Sequence, residues 1–243
     1  MKRAWRTRTL MGTVLLVGLL VAAPAWAQYW TSFADDTRYM ALGDSLSAGY
    51  GALPATQGFV YQLYQSGVID KVNNLLLCNV GVPNALSEDV LTYQVPMVSL
   101  FFANTGRSYR KVITLTVGGN DLFQIIGGAD PNTVFSALYG NLYAILKSLA
   151  TAFPDARIYV ANQYDPKLGF ANEDVLIATA NVVIAQVVQQ FPTARLVDIF
   201  SAFHGRHGLL LSEKPGAEPG QIHPTDVGYW VMAKTFAEAI RAH

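Results

Sequence analysis

The sequence is poor in cysteine and in charge, and each shortage excludes a class of protein. Cys78 is the only cysteine in 243 residues, so the chain cannot form an intramolecular disulfide or a cysteine-rich metal site. Charged residues make up 14% of the chain and hydrophobic residues 51%, which excludes a disordered chain and suits one globular domain with a sizeable core. Because Cys78 follows three leucines, we expect a small, buried, apolar side chain there.

The first 27 residues have the layout of a signal peptide. Four basic residues precede an apolar run over 10–23, and small residues at positions 25 and 27 form an A-x-A cleavage site. The run has about 14 residues, fewer than the ~20 that a transmembrane helix needs. We therefore expect cleavage after Ala27 and export of residues 28–243 as a single domain to the periplasm or the medium. A retained membrane anchor is the alternative.

No basic patch remains once this leader is removed. The leader holds four of the 17 basic residues and none of the 17 acidic ones, so 13 basic residues remain against 17 acidic ones. Without a cluster of Lys and Arg to neutralise phosphates, nucleic-acid binding has no electrostatic basis. We expect contact with a membrane only through the leader or a lipid substrate, and the oligomeric state stays open.

Short apolar runs alternate with stretches of helical periodicity after the leader. Five runs are predicted to be strands: 39–42, 75–80, 111–117, 157–161 and 195–199. Apolar side chains recur at three- and four-residue steps over 131–153 and 172–190, and a last helix is predicted from 225 to about 241. Strands spaced by roughly 35 to 45 residues leave room for crossover helices. We therefore predict an α/β fold, a three-layer α/β/α sandwich around a five-stranded parallel sheet.

Side chains that could carry chemistry come directly after the predicted strands, where α/β sheets place their ligand sites. Ser45 follows the first strand beside Gly43, at a turn that would expose its hydroxyl for nucleophilic attack. Gly81 follows the second strand and Asn120 the third, and backbone N–H groups and amide side chains are typical donors to an oxyanion. His223 lies on a loop before the last helix, where it could reach Ser45 as a general base.

Local sequence also allows a purely structural role for these residues. Ser45 could serve simply as the N-cap of the next helix, without a catalytic role. Asn120 with Asp121 could form an Asx turn. An exposed surface position is the alternative for a histidine, and we expect it for His204 and His207. We expect no metal site, because no further ligand stands at metal-site spacing from the histidines.

Four segments together resemble the SGNH (GDSL-type lipase and esterase) family, and residues 43–50 are similar to the opening of bacterial lysophospholipase and thioesterase members. The segments are Gly43-Asp44-Ser45-Leu46, Asn79-Val80-Gly81, Gly118-Gly119-Asn120-Asp121, and His223-Pro224 with Gly228. The resemblance implies a flavodoxin-like sandwich, Ser45 as nucleophile and His223 as its base. It also implies an oxyanion hole of Ser45, Gly81 and Asn120, and no cofactor.

The sequence departs from this family at the acid of the catalytic triad. The family places an aspartate three residues before the histidine, where it fixes the tautomer and stabilises the imidazolium, and here that position is Gly220. Glu218 or Glu213 on the same loop could supply the carboxylate, a backbone carbonyl near Gly220 could orient the ring, or the site could be crippled. A milder departure is Asn84, which stands where many members have glycine.

The expected function is hydrolysis of carboxylic esters, of an acyl or lysophospholipid type, by an exported serine esterase. Leu122, Phe123, Ile125 and Ile126 could line an acyl pocket, although we expect at least half of them to form the core face of a helix. One alternative is a carbohydrate acetylesterase, since the same site serves acetylated sugars in related families. The other is a non-catalytic exported binding protein that has lost the triad acid. The expected partner is a small-molecule or lipid ester.

Overall fold

A computed structural model of the chain describes residues 37–70, 75–103, 109–170, 172–217 and 221–243. The predicted leader with its cleavage site lies outside these ranges, as do Glu218 and Gly220. All described residues belong to one compact unit, Asp35–His243.

Five parallel strands form the centre of the molecule. They are β1 Thr37–Gly43, β2 Leu75–Asn79, β3 Arg110–Thr116, β4 Arg157–Ala161 and β5 Ala194–Val197. Their order is β2-β1-β3-β4-β5, and each neighbouring pair is parallel. The chain leaves β1 for β2 on one side and then returns to β3 on the other, so a crevice opens between the loops that follow β1 and β3. All five predicted strands are confirmed within two residues at each end.

Helices connect the strands and cover both faces of the sheet. They are α1 Ser45–Ala48, α2 Phe59–Gln65, α3 Ser87–Asp89, α4 Val95–Phe101, α5 Gly119–Ile126, α6 Pro131–Ala152, α7 Glu173–Val188, α8 Ile199–Phe203 and α9 Asp226–Arg241. A π-helical segment, Val90–Gln94, joins α3 to α4. The three long predicted helices are confirmed. Among the described residues, no helix has the length and apolar character that crossing a bilayer requires.

Alternate residues of the central strand face two separate cores. Tyr39 and Ala41 pack with α2 and α9 on one face of the sheet. Met40 and Leu42 pack with α6 and α7 on the other face. Period-two alternation thus buries both faces of β1, which is typical of a sheet between two helical layers. The predicted three-layer sandwich is confirmed, although Cys78 is only partly buried against the second core.

Candidate active site

Ser45 begins α1 directly after β1, on a turn that is anchored to β3. Gly43 has φ +132°, and a Cβ there would lie 2.1 Å from the Thr116 carbonyl oxygen, so only glycine allows this approach. The Asp44 N–H donates to the same oxygen at 3.2 Å. The Asp44 carboxylate caps α1 by accepting from the Leu46 N–H at 3.0 Å. The cap is therefore Asp44, which leaves the Ser45 hydroxyl available at the carboxyl end of the sheet.

His223 reaches Ser45 across 178 positions of sequence. Its Nε2 lies 2.8 Å from the Ser45 Oγ. The loop that carries the imidazole is held on both sides: the Leu211 N–H donates to the His223 carbonyl at 2.8 Å, and the Tyr164 hydroxyl donates to the Ile222 carbonyl at 2.7 Å. Burial lowers the pKa of His223 from its ordinary value, which favours the neutral ring that can accept a proton.

Asn120 follows β3 in the first turn of α5. Its Nδ2 donates to the Ala85 carbonyl at 2.9 Å, so the amide bonds to a neighbouring loop, and the N-cap of α5 is Gly118 without a side-chain hydrogen bond. An amide nitrogen has two hydrogens, and the second remains for a ligand. Gly119 lies beside Gln163, whose Oε1 would be 2.9 Å from a Cβ at that position, so the absence of a side chain leaves room for the glutamine.

Gly81 is not among the residues that line a cavity with Ser45. Its N–H donates to the Asn79 Oδ1 at 3.0 Å, and the Asn79 amide in turn donates to the Ser47 carbonyl at 2.7 Å. A Cβ at Gly81 would lie 2.7 Å from the backbone nitrogen of Ala48. In this structure Gly81 permits close packing of its loop on α1, and its N–H can reach an oxyanion only if the bond to Asn79 breaks.

Among the described residues, no carboxylate bonds to Nδ1, the second ring nitrogen of His223. Glu213 accepts from two backbone N–H groups of its own loop through one oxygen, at 3.0 and 3.1 Å. Its other oxygen lies 2.6 Å from Lys167 Nζ. The structure therefore corrects the expectation for Glu213: both of its oxygens are engaged elsewhere, and it does not orient the imidazole. The second candidate acid, Glu218, lies outside the described residues.

Sequence reasoning missed Tyr50, whose ring packs against the imidazole of His223 with 4.6 Å between ring centroids. The one local signal is its position between two glycines, Gly49 and Gly51, which marks a tight turn. The departure at Asn84 has a simple explanation. Its φ of +66° is the left-handed conformation, which asparagine tolerates better than most residues, so the turn survives without glycine.

A cavity opens beside Ser45 and His223, and most of its wall is apolar. The apolar residues come from α1, from α5, from the segment after β4, from α7 and from the His223 loop: Leu46, Leu122, Phe123, Ile126, Tyr164, Pro166, Leu168, Phe170, Leu176, Ile177 and Ile222. The polar residues are Asp44, Ser45, Asn120, Gln163 and His223. Three of the four α5 residues considered for an acyl pocket line the cavity. Ile125 packs instead against a core cluster around Leu138, which Leu122 also joins.

Comparison with known proteins decides the family. The model of the GDSL-like lipase/acylhydrolase family matches residues 41–231, which span β1 to α9. The chain belongs to this family. The GDSL hydrolase is also 27% identical over 213 residues to the spore germination lipase LipC of Bacillus licheniformis, an alignment that covers 83% of this chain and 95% of LipC.

Solved structures share the fold of the GDSL hydrolase. The lipase Lip_vut3 from a goat rumen metagenome aligns with a TM-score of 0.66 and 23% identity, over 84% of this chain and 97% of its own. The acetyl xylan esterase Axe2 of Geobacillus stearothermophilus aligns with a TM-score of 0.58 and 15% identity, over 85% and 95%. The expected family and the expected class, a serine hydrolase that acts on ester bonds, are thereby confirmed.

Proposed function

We propose that this GDSL hydrolase is an exported serine esterase in which Ser45 is the nucleophile and His223 its general base. The observation that supports this most is the 2.8 Å contact between Oγ and Nε2. A serine hydroxyl needs a base within hydrogen-bond reach to become nucleophilic, and burial keeps the imidazole neutral enough to act as that base.

The proposed reaction is acyl transfer through an acyl-serine. As Oγ bonds to the ester carbonyl carbon, its proton passes to Nε2 of His223. The oxyanion accepts from the Ser45 N–H, which has no intrahelical partner at the start of α1, and from the second N–H of the Asn120 amide. The carbon–oxygen bond to the alcohol then breaks, and His223 returns the proton to the leaving oxygen. Water attacks the acyl-serine by the same route and releases the acid.

The composition of the cavity supports an acyl ester as substrate. Phe123, Leu168 and Leu176 form part of an apolar wall that an acetyl group would leave uncovered. Each buried methylene contributes about 0.8 kcal/mol, so kcat/KM should rise about four-fold per methylene until the wall is filled. A series of p-nitrophenyl esters from acetate to laurate measures this. If acetate and acetylated xylan were the best substrates, the carbohydrate acetylesterase would replace this proposal.

Replacing Ser45 tests the nucleophile. Ser45→Ala should lower turnover of p-nitrophenyl butyrate at least 10³-fold, and Asn120→Ala should lower it about 10²- to 10³-fold because one oxyanion donor is lost. Ser201→Ala, at an exposed position of α8, is the matched control and should leave turnover unchanged. Wild-type turnover in Ser45→Ala would refute the assignment. Absence of fluorophosphonate labelling at Ser45 in the wild-type protein would instead favour a non-catalytic binding protein.

Export is the second part of the proposal and rests on the leader over residues 1–27. Protein recovered from the periplasm or the medium should begin at Gln28 when its N-terminus is sequenced. A mature protein that begins at Met1 and sediments with membranes would show that the leader is a retained anchor.

A further inference from the structure

The imidazole of His223 contacts both the Ser45 hydroxyl and the aromatic ring of Tyr50. The Tyr50 and His223 ring centroids are 4.6 Å apart and the rings are tilted by 48°. Triads of this kind use a carboxylate on Nδ1 to fix the ring and stabilise its charged form. No described carboxylate does so here, and the position three residues before His223 is glycine. Among the described residues, the Tyr50 ring that packs against the imidazole is therefore the candidate for both tasks.

Tyr50 is held firmly although its side chain is half exposed. Its N–H donates to the Ser45 carbonyl at 2.9 Å, and its carbonyl accepts from the Tyr229 hydroxyl at 2.8 Å. The neighbouring Gly49 and Gly51 have φ of +75° and +85°, a left-handed conformation that glycine adopts without strain. The same tight turn thus presents the nucleophile and, five residues later, the aromatic ring.

We propose that Tyr50 is a positioning residue: its ring holds the imidazole of His223 in line with the Ser45 hydroxyl and stabilises the imidazolium that forms during acyl transfer. This rests on the proposed function. A cation over the face of an aromatic ring is attracted when it lies within about 6 Å of the ring centroid, and the 4.6 Å between the Tyr50 and His223 centroids lies within this distance. The neutral imidazole gains less, so the interaction favours the transition state over the ground state.

The described titratable groups around the imidazole are engaged elsewhere, which leaves this role to Tyr50 among the described residues. Asp44 lines the same cavity, but its carboxylate accepts from Leu46 and from a threonine hydroxyl. Asp226, at the start of α9, accepts from the Leu53 N–H at 3.1 Å. The hydroxyl of Tyr164 donates to a backbone carbonyl. Burial lowers the pKa of His223, and among the described residues no carboxylate bonds to the ring to oppose this.

Two substitutions of Tyr50 separate the aromatic face from mere bulk. Tyr50→Leu keeps an apolar cover on the imidazole but removes the ring. It should lower kcat about five-fold, equivalent to about 1 kcal/mol, with little change in KM, and move the acidic limb of kcat/KM to lower pH. Tyr50→Phe should restore kcat and the limb, because the ring is kept. Tyr93→Leu, at an exposed tyrosine outside the cavity lining, is the control and should match the wild type.

Two outcomes would overturn the proposal. If Tyr50→Leu and Tyr50→Phe show the same kcat and the same pH profile, the side chain provides bulk alone. If Glu218→Gln lowers kcat 100-fold or more, a carboxylate orients His223 and the aromatic ring is secondary. Failure of the proposed function gives a different result, since Ser45→Ala would then keep wild-type turnover whatever the Tyr50 variants do.

Discussion

As the pH rises, the free energy of unfolding of Asp44→Asn should increase relative to that of the wild type. Asp44 is buried, and burial raises its pKa to about 6 from an ordinary 3.8, although hydrogen bonds from Thr116 and Leu46 oppose the shift. The folded protein therefore binds the carboxyl proton more tightly than the unfolded chain does. The stability that this proton contributes is fully present below pH 3.8 and is lost as the pH rises through 6.

The magnitude follows from the two pKa values. Their separation is about 2 pH units, so ionisation of Asp44 costs about 3 kcal/mol of unfolding free energy above pH 7. Asparagine keeps an oxygen that can accept from Leu46 and Thr116, but it never ionises. Its buried amide hydrogens add a cost of about 1–3 kcal/mol if they find no acceptor. That cost is the same at every pH, so it cancels when the pH dependence alone is compared.

Urea unfolding of both proteins at pH 4 to 8 measures the effect. The difference in unfolding free energy, variant minus wild type, should rise by about 2.5 kcal/mol between pH 4 and pH 8, slightly less than the full ~3 kcal/mol because the unfolded chain is already partly ionised at pH 4. Asp130→Asn is the control. Hydrogen bonds from Thr133 lower the pKa of this exposed helix cap below 3.8, so the wild type gains on that variant below about pH 4, and the difference should change little from pH 4 to 8. A difference for Asp44→Asn that stays constant from pH 4 to 8 would refute the reasoning.

Three further predictions concern the site and its support. The acidic limb of kcat/KM should lie below pH 6.5, because burial lowers the pKa of His223; a limb above 6.5 in the steady-state profile would contradict this. Gly43→Ala should lose about 3 kcal/mol or more in thermal unfolding, because the new Cβ would meet the Thr116 carbonyl oxygen at 2.1 Å; a loss below about 1 kcal/mol would show that the turn relaxes. Tyr164→Phe should cost about 1–3 kcal/mol and lower kcat, since the Ile222 carbonyl loses its donor; unchanged stability and kcat would exclude a supporting role.

The layers of the fold could be predicted because their signals are local. In α6 the apolar side chains recur every three or four residues, and Asp130 and Pro131 mark its start, so the helix was bounded within one residue. The fifth strand shows the limit of such signals. Its apolar run continues to Ile199, but the strand ends at Val197 because the Asp198 side chain caps α8 by accepting from the Ser201 N–H.

The site was predictable only where chemistry follows a strand or a recognisable motif. Ser45 and Asn120 follow β1 and β3, which flank the reversal of strand order. Tyr50 and His223 lie on two turns that are far apart in the sequence, and sequence periodicity cannot predict a contact between such turns. For Glu213, closeness in sequence to His223 predicted a contact that the structure does not have. Glu213 lies ten residues before His223, yet its carboxylate forms a salt bridge with Lys167, from the segment after β4.

Typical hydrogen-bond energies can reconcile the proposed oxyanion hole with the bond that Gly81 makes in the structure. The Gly81 N–H is bonded to Asn79 in this structure, whereas the family pattern assigns it to the oxyanion. A neutral hydrogen bond of that kind contributes about 0.5–1.5 kcal/mol net. A donor to a developing oxyanion contributes about 2.7–4 kcal/mol. It is therefore favourable for the Gly81 N–H to exchange the Asn79 oxygen for the oxyanion once charge develops on the substrate. The bond to Asn79 is compatible with a third donor that engages only in the transition state, and such a donor raises kcat more than substrate affinity.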